Sequence, residues 1–163
     1  MIEIRRSRLS DIDAIMECYA AARQYMRANG NPSQWINGYP SRRQIEEDIR
    51  AGQGYVGTDG NGEIVMAFAF ISGEDPTYIH ISDGEWLNDK PYGTIHRLAS
   101  NGKVKGALKT CVDFCSTMTD NIRLDTHADN VIMQRGVAAL GFRRCGIILC
   151  QDGSPRIAYQ REL

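Results

Sequence analysis

An uninterrupted apolar run at residues 64–71, Ile-Val-Met-Ala-Phe-Ala-Phe-Ile, constrains the fold more than any other segment of the chain. The run is far shorter than the roughly 20 residues that cross a bilayer. Its β-branched and aromatic content favours a strand. Because a strand alternates its side chains between two faces, a strand that is apolar throughout is buried on both. We therefore expect a sheet with this strand near its centre and helices packed on it.

Two segments in the first third of the chain have the periodicity of amphipathic helices. Ser10 predicts an N-cap for the first helix, which the Asn-Gly pair at 29–30 ends. Ser41 and Gln44 match a capping box that opens a short second helix. The acidic run at 46–48 is interpreted as part of a solvated face of that helix.

The rest of the chain alternates predicted strands and helices. An Asp-Gly-Asn-Gly turn at 59–62 joins residues 55–56 to the apolar strand as a hairpin, and residues 78–81 indicate a short strand or an ordered loop. Other strands are predicted at 2–6, 94–99, 122–125, 144–150 and 156–159, with helices from 104 to 118 and from 129 or 130 to 140. This order predicts one α/β (mixed α+β) domain over residues 1–163.

Charge and cysteine content exclude several classes of protein. The chain has 19 Lys and Arg against 20 Asp and Glu, without the basic excess that nucleic acid or anionic membranes require. Its first residues, Met-Ile-Glu-Ile-Arg-Arg, contain no apolar signal core, so we expect a cytoplasmic protein. The five cysteines are odd in number and fall on apolar faces, which predicts reduced, buried thiols and no metal site. They are Cys18, Cys111, Cys115, Cys145 and Cys150.

Residues 94–108 contain the pattern most suggestive of ligand binding. A predicted strand runs into the Ser-Asn-Gly turn at 100–102 and then into a helix start that carries Lys103 and Lys105. The free N–H groups of such a helix start attract anions. The spacing matches neither a Walker loop nor a dinucleotide fingerprint. By itself the pattern is equally typical of a plain helix start with solvated lysines.

Together with the element order, this pattern resembles the GNAT superfamily of N-acetyltransferases over essentially the whole chain. Asn130 follows a strand and precedes Gly141 and Phe142 at the family's spacing. The local sequences at 34–40, 95–99 and 152–155 are similar to small bacterial GNAT proteins of unassigned substrate. The resemblance implies a mixed, mostly antiparallel sheet flanked by about four helices, with the parallel strands at 94–99 and 122–125 splayed apart.

The resemblance also implies acetyl-CoA as cosubstrate, with its pantetheine arm between the splayed strands. The implied cofactor-binding residues are Leu98, Ala99, Lys103, Val104, Lys105, Gly106, Ala107, Leu108 and Asn130. The sequence departs from the family pattern at Lys103 and Leu108, which stand where the family has Gln or Arg and Gly or Ala. It departs again at Val137, where many members carry the tyrosine that protonates the leaving thiolate.

Acetyl transfer to an amine requires a base, since an alkylammonium with a pKa of about 10.4 is almost fully protonated at neutral pH. His96 is the first candidate and Glu85 the second, with Asp125 and His127 as further alternatives; each also has an ordinary structural interpretation. The backbone N–H of Leu98 or Ala99 is expected to stabilise the developing oxyanion. Candidate replacement acids are Tyr92, Tyr159 and Cys145.

The acceptor is expected to be a primary amine of a small molecule or peptide, and monomer and homodimer both remain open. Trp35 and Tyr39 either wall the acceptor pocket or hold a long loop to the body of the protein. One alternative is an acyl-CoA-binding module with little turnover. Another is a cysteine hydrolase using Cys111 or Cys115, which their position on an apolar helical stripe disfavours.

Overall fold

The computed structural model describes all 163 residues and contains one seven-stranded sheet in the order β1-β2-β3-β4-β5-β7-β6. The strands are β1 (Glu3–Arg6), β2 (Gly54–Thr58), β3 (Ile64–Ser72), β4 (Gly93–Ser100), β5 (Asn121–Thr126), β6 (Arg143–Leu149) and β7 (Pro155–Glu162). The helices are α1 (Ile12–Ala28), α2 (Arg42–Arg50), α3 (Ala107–Cys115) and α4 (Val131–Ala139). Short 3₁₀ turns at Leu9–Asp11 and Pro76–Tyr78 complete the fold, the second in the segment predicted as a short strand or loop.

The apolar run forms β3 and lies inside the sheet, as its composition predicts. Residues 65–70 are buried, and β3 pairs antiparallel with β2 on one side and β4 on the other. All neighbouring strands are antiparallel except β4 and β5, which are parallel. The predicted mixed, mostly antiparallel sheet flanked by four helices is confirmed.

The helices cover the two faces of the sheet in pairs. Cys111 and Val112 of α3 and Val137 of α4 join the large apolar core on one face. Ile15 and Tyr19 of α1 join a second core on the opposite face. The segment between β3 and β4 packs on β6 and β7, where Tyr78 forms a smaller cluster with Ile148 and Ala158. A cleft lies between this segment and α1 and α2.

The parallel strands β4 and β5 separate soon after they begin. They pair only at Gly93 with Ile122 and at Thr94 with Arg123, so the rest of β4 has no partner on that side. On its other edge, β4 pairs with β3 through a register shift between Ala67 and Ala69. The predicted splayed pair is therefore present, and its opening connects the two faces of the sheet.

Three local predictions are wrong. Ser10 does not cap α1: the chain first forms a 3₁₀ turn, where the Asp11 carboxylate accepts the Arg8 N–H at 2.8 Å. The third helix spans Ala107–Cys115 rather than residues 104–118, and it begins late because Gly106 has a left-handed backbone with φ of 88°. Asp48 is not part of a solvated face, since it is only 5% exposed.

No helix is both long enough and apolar enough to cross a membrane.

Candidate active site

A cleft of about 1110 Å³ lies where β4 and β5 diverge and extends to both faces of the sheet. Its walls come from α3 and α4 on one face, and from α1, α2 and the segment between β3 and β4 on the other. The loop between β6 and β7 forms part of the rim of the cleft. A cleft of this size holds an extended ligand and a second small molecule.

The free edge of β4 offers backbone groups to a ligand. Arg97 has a φ of 54° and forms a bulge in β4, opposite the register shift in β3. The Tyr19 hydroxyl donates a 2.6 Å hydrogen bond to the Arg97 carbonyl and so holds the bulge in place. Beyond it, Leu98 and Ala99 line the cleft on the edge that β5 leaves unpaired. An extended chain can add to this edge as a strand does.

The turn before α3 provides unpaired backbone donors. The N–H groups of Val104, Lys105 and Gly106 donate to no acceptor within the protein, and Ala107 opens the helix with the free N–H groups of a first turn. The side chains of Lys103 and Lys105 are exposed beside them. This combination attracts an anionic group.

Asn130 closes the same side of the cleft at the start of α4. Its side chain accepts a 3.1 Å hydrogen bond from the Met133 N–H, which caps the helix. Its amide donates to Gln34 Oε1 at 3.1 Å. Gln34 also accepts from the Thr126 hydroxyl, so this contact ties the loop between α1 and α2 to the end of β5.

His96 and Asp75 form a hydrogen-bonded pair on the opposite face. His96 Nε2 lies 2.7 Å from Asp75 Oδ2, and both residues line the cleft. Burial raises the pKa of Asp75, but hydrogen bonds from His96 and Thr77 outweigh it and lower the pKa to about 2. Asp75 is therefore ionised at neutral pH. The carboxylate accepts Nε2–H, and Nδ1 makes no hydrogen bond within the protein.

A buried ion pair lies next to this dyad. The Arg97 guanidinium donates to both Asp48 oxygens, at 2.9 and 2.7 Å, and to the Tyr39 hydroxyl at 3.2 Å. Trp35 packs edge-on against Tyr39 and is buried. The loop between α1 and α2 is thus fixed over the cleft by an aromatic contact and a hydrogen bond.

A search of family models finds no match to this chain, and no curated protein matches it. Solved structures do match over nearly the full length. A GNAT-family acetyltransferase from Streptococcus agalactiae is 33% identical, with a TM-score of 0.88 and coverage of 99% of this chain and 95% of that one. The chain belongs to the GNAT family of acetyltransferases.

Two other similar structures are too distant in sequence to show more than the fold. A GNAT acetyltransferase from Listeria monocytogenes has 19% identity, a TM-score of 0.74 and coverage of 99% and 95%. The ribosomal-protein-S18-alanine N-acetyltransferase from Escherichia coli has 14% identity, a TM-score of 0.63 and coverage of 99% and 94%.

The cleft of this GNAT protein contains most, but not all, of the site residues predicted from the sequence. Those that line it are Trp35, Tyr39, His96, Leu98, Ala99, Ala107, Leu108 and Asn130. Lys103, Val104, Lys105 and Gly106 form the turn beside its mouth, where Val104 packs against the core. Glu85 is exposed and does not line the cleft, so we assign it no part in proton transfer.

The remaining proton-transfer candidates occupy different surroundings. Asp125 lines the cleft and accepts a 2.6 Å hydrogen bond from the Tyr78 hydroxyl. Burial raises the pKa of Tyr78 well above its usual value, so this hydroxyl remains a donor. His127 accepts a 3.0 Å hydrogen bond from the Asp129 N–H at the turn before α4 and does not line the cleft.

The position of Val137, where the family tyrosine is expected, is fully buried in the core. None of the three candidate replacement acids lines the cleft: Tyr92, Tyr159 and Cys145. The Tyr92 hydroxyl instead accepts a 2.8 Å hydrogen bond from the Asp75 N–H, which helps to hold the dyad.

The thiols proposed for hydrolysis are inaccessible. Cys111 and Cys115 are both fully buried in α3, and burial raises the pKa of the Cys111 thiol well above its usual value. A buried, protonated thiol is a poor nucleophile. The hydrolase alternative is therefore not supported.

Sequence reasoning missed Asp75 and the pairing of Asp48 with Arg97. Asp75 carries only a local signal, an Asx-type cap before Pro76, which it does form with Thr77. Asp48 carried a clearer one, because it lies three residues after Ile45 on the buried stripe of α2. The partner residues, 21 and 49 positions away, leave no mark in the local sequence.

Proposed function

We propose that this protein transfers an acetyl group from acetyl-CoA to a primary amine of a small molecule or peptide, by direct attack in a ternary complex. The observation that carries the proposal is the opening between β4 and β5. One end of the cleft has unpaired backbone donors before α3, and the other has the His96 and Asp75 dyad. Two ligands entering from opposite faces would meet at the bulge of β4.

The residues on the α3 side fit the pantetheine and diphosphate of acetyl-CoA. The free edge at Leu98 and Ala99 offers strand-like hydrogen bonds to the amides of the arm. The turn at 104–106 and the start of α3 offer N–H groups and positive charge to the diphosphate. Because these contacts use the backbone, Lys103 and Leu108 do not disrupt them.

His96 is the proposed base, and Nδ1 is its reactive atom. Deprotonating an alkylammonium to the neutral amine costs roughly 4–5 kcal/mol at neutral pH. Asp75 holds the imidazole in the tautomer that exposes Nδ1 and stabilises the imidazolium once the proton is taken. His96 is about one-fifth exposed, which lets an amine or a bridging water reach it.

The chain provides no tyrosine at position 137 to protonate the leaving group. Acetyl-CoA supplies the acetyl group as a thioester, whose thiol has a pKa of about 8.5 and leaves without obligatory acid help. General acid assistance is typically worth about 10²–10⁴-fold, so transfer without it is slower but feasible.

Val137 also favours a second candidate, an acyl-CoA-binding module with little turnover. Val137 is buried in the core and has no proton to donate, and Tyr92, Tyr159 and Cys145 lie outside the cleft. In that case the cleft would bind CoA and the dyad would have no chemical role.

Thiol release from acetyl-CoA with a panel of primary amines, followed by mass analysis of the products, separates the two candidates. The acetyltransferase proposal predicts one acetylated amine for each thiol released. CoA binding in the micromolar range without any acetylated product would support the binding module instead.

A further inference from the structure

The acceptor end of the cleft contains a guanidinium that no carboxylate contacts directly. Two arginines line the cleft, Arg97 and Arg156, and no lysine does. Arg97 is neutralised by Asp48. Arg156, on β7, is 8% exposed and forms no ion pair with any carboxylate. A nearly buried charge normally has a charged partner, so its absence requires an explanation.

The hydrogen bonds of Arg156 leave part of its donor capacity unused. Nη1 donates to the Ser154 hydroxyl at 3.1 Å and to the Pro155 carbonyl at 2.9 Å, and Nη2 donates to the Gln34 carbonyl at 3.1 Å. A guanidinium has five N–H groups, so two have no protein acceptor. The three bonds fix the orientation of the group between the loop after α1 and the loop before β7.

Arg156 lies on the same face of the sheet as the proposed base. Asp125 of β5 pairs with Ala158 of β7, so Arg156, two residues away, projects to the side that Asp125 occupies. The half-buried thiol of Cys150 lies near both charges: burial raises its pKa, the charge of Asp125 raises it further and that of Arg156 lowers it. His96 lies on β4, two strands away from β7.

We propose that Arg156 binds a carboxylate of the acceptor, so that the preferred acceptors are amino acids or related amines that carry a carboxylate. This inference rests on the proposed amine acetylation and names its substrate class. The planar fork of a guanidinium matches a carboxylate in two parallel hydrogen bonds. The ammonium group of the same molecule lies toward Asp125 and the dyad, where the surrounding charge is negative.

The surroundings favour a singly charged carboxylate over a phosphate. Asp125 lines the same corner, and the Asp152 carboxylate stands on the adjoining loop, where it accepts from Ser154 rather than pairing with Arg156. A dianion would double both its attraction to Arg156 and its repulsion from these two carboxylates, and with two carboxylates to one guanidinium the repulsion grows more. Arg156 is therefore a specificity-determining residue for zwitterionic acceptors.

Matched acceptors test the proposal directly. Each amino acid is compared with its own carboxamide, in the presence of acetyl-CoA, by thiol release and product mass. We expect kcat/KM to be about 10- to 100-fold higher for the free acid, because a hydrogen-bonded pair of opposite charges contributes a factor of that size. The amine of the carboxamide is less basic, so a larger fraction of it is neutral and able to attack at neutral pH. Amine reactivity alone therefore predicts a higher kcat/KM for the carboxamide. Equal or higher kcat/KM for the carboxamides would overturn the proposal, and so would preference for phosphoethanolamine over β-alanine.

Variants separate recognition from a structural role of Arg156. Arg156→Gln should bring the ratio of free acid to carboxamide close to one, mainly through KM, while Arg156→Lys retains part of it. CoA affinity reports that each variant is folded, and Arg143→Gln, an exposed arginine outside the cleft, is the matched control. An unchanged ratio in folded Arg156→Gln would contradict the proposal.

The two proposals fail in different ways. If CoA binds but no acceptor is acetylated, the transfer proposal fails, and calorimetry with the CoA complex decides the recognition proposal. Heat from free amino acids but not from their carboxamides supports a carboxylate site at Arg156. Equal heat, or none from either, overturns it.

Discussion

At the scale of single residues, the site depends on side chains whose partners are distant in the sequence. Asp75 orients His96, and Asp48 holds Arg97 at the bulge. Each pair joins a loop or helix to β4, so β4 carries both the proposed base and the bulge that shapes the cleft. The chemistry is therefore fixed by the rigid centre of the sheet rather than by a mobile loop.

We expect His96→Gln to lower kcat by about 10²–10⁴-fold, because it removes the proton acceptor without changing the shape of the cleft greatly. Asp75→Asn should lower kcat less, since it keeps a hydrogen bond to the ring but no longer fixes the tautomer. Steady-state kinetics with a fixed amine measure both. CoA affinity should stay within about twofold of the unmodified protein. A His96→Gln variant with full kcat would exclude His96 as the base.

The depressed pKa of Asp75 also predicts how stability depends on pH. Its folded pKa is about 2, below the unfolded value of about 3.9, so the ionised form stabilises the native state. That contribution is complete above about pH 4 and is lost as the pH falls toward 2. It amounts to about 1–2 kcal/mol after allowance for solvent screening. Between pH 5 and pH 2.5, the free energy of unfolding measured in urea should fall less for Asp75→Asn than for the unmodified protein. An equal fall in both would contradict this assignment.

At the scale of secondary-structure elements, the turn into α3 presents unpaired N–H groups and two exposed lysines beside the mouth of the cleft. Lys105→Glu should weaken CoA binding roughly three- to tenfold at low salt, because it replaces an attraction for the diphosphate with a repulsion. A carboxylate near a helix start should not destabilise α3. Calorimetry at two salt concentrations measures the effect. Arg50→Glu, an exposed site outside the cleft, makes the same charge change and should alter the affinity less than twofold. Equal effects from both variants would contradict an anion site before α3.

The two serines predicted as caps make a matched test of helix starts. The Ser41 hydroxyl accepts a 3.1 Å hydrogen bond from the Gln44 N–H, whereas Ser10 makes no such bond. Ser41→Ala should therefore cost about 1 kcal/mol of the free energy of unfolding, and Ser10→Ala less than about 0.5 kcal/mol. Denaturant titration of both variants measures this. The reverse order would show that the start of α1 is capped by Ser10 after all.

Periodicity and composition were sufficient to place these elements, because they record which faces of each segment are buried. The apolar run of β3 and the stripes of α1, α2 and α3 are examples. The start of α3 was placed three residues early, since Val104 continues the apolar spacing although Gly106 adopts a left-handed backbone. The pairing of His96 with Asp75 was not predictable, because no local pattern records contacts between residues 21 positions apart.

At the scale of the whole molecule, the separation of β4 from β5 joins two half-sites on opposite faces of one sheet. The α3 side presents backbone donors and lysines, and the other side presents the dyad and Arg156. In the proposed reaction, two substrates enter separately and meet at the bulge of β4, as direct transfer requires.

Amide hydrogen exchange with and without CoA tests this arrangement most directly. We expect CoA to slow exchange at Leu98, at Ala99 and across residues 104–108, and to leave the amides of β1 unchanged. Residues 104–108 have no acceptor in the protein, and Leu98 and Ala99 lie where β4 has no partner on its β5 side, so added protection at these positions reflects the ligand or ordering caused by it. Protection confined to other elements, or no change at any amide with saturating CoA, would contradict the account.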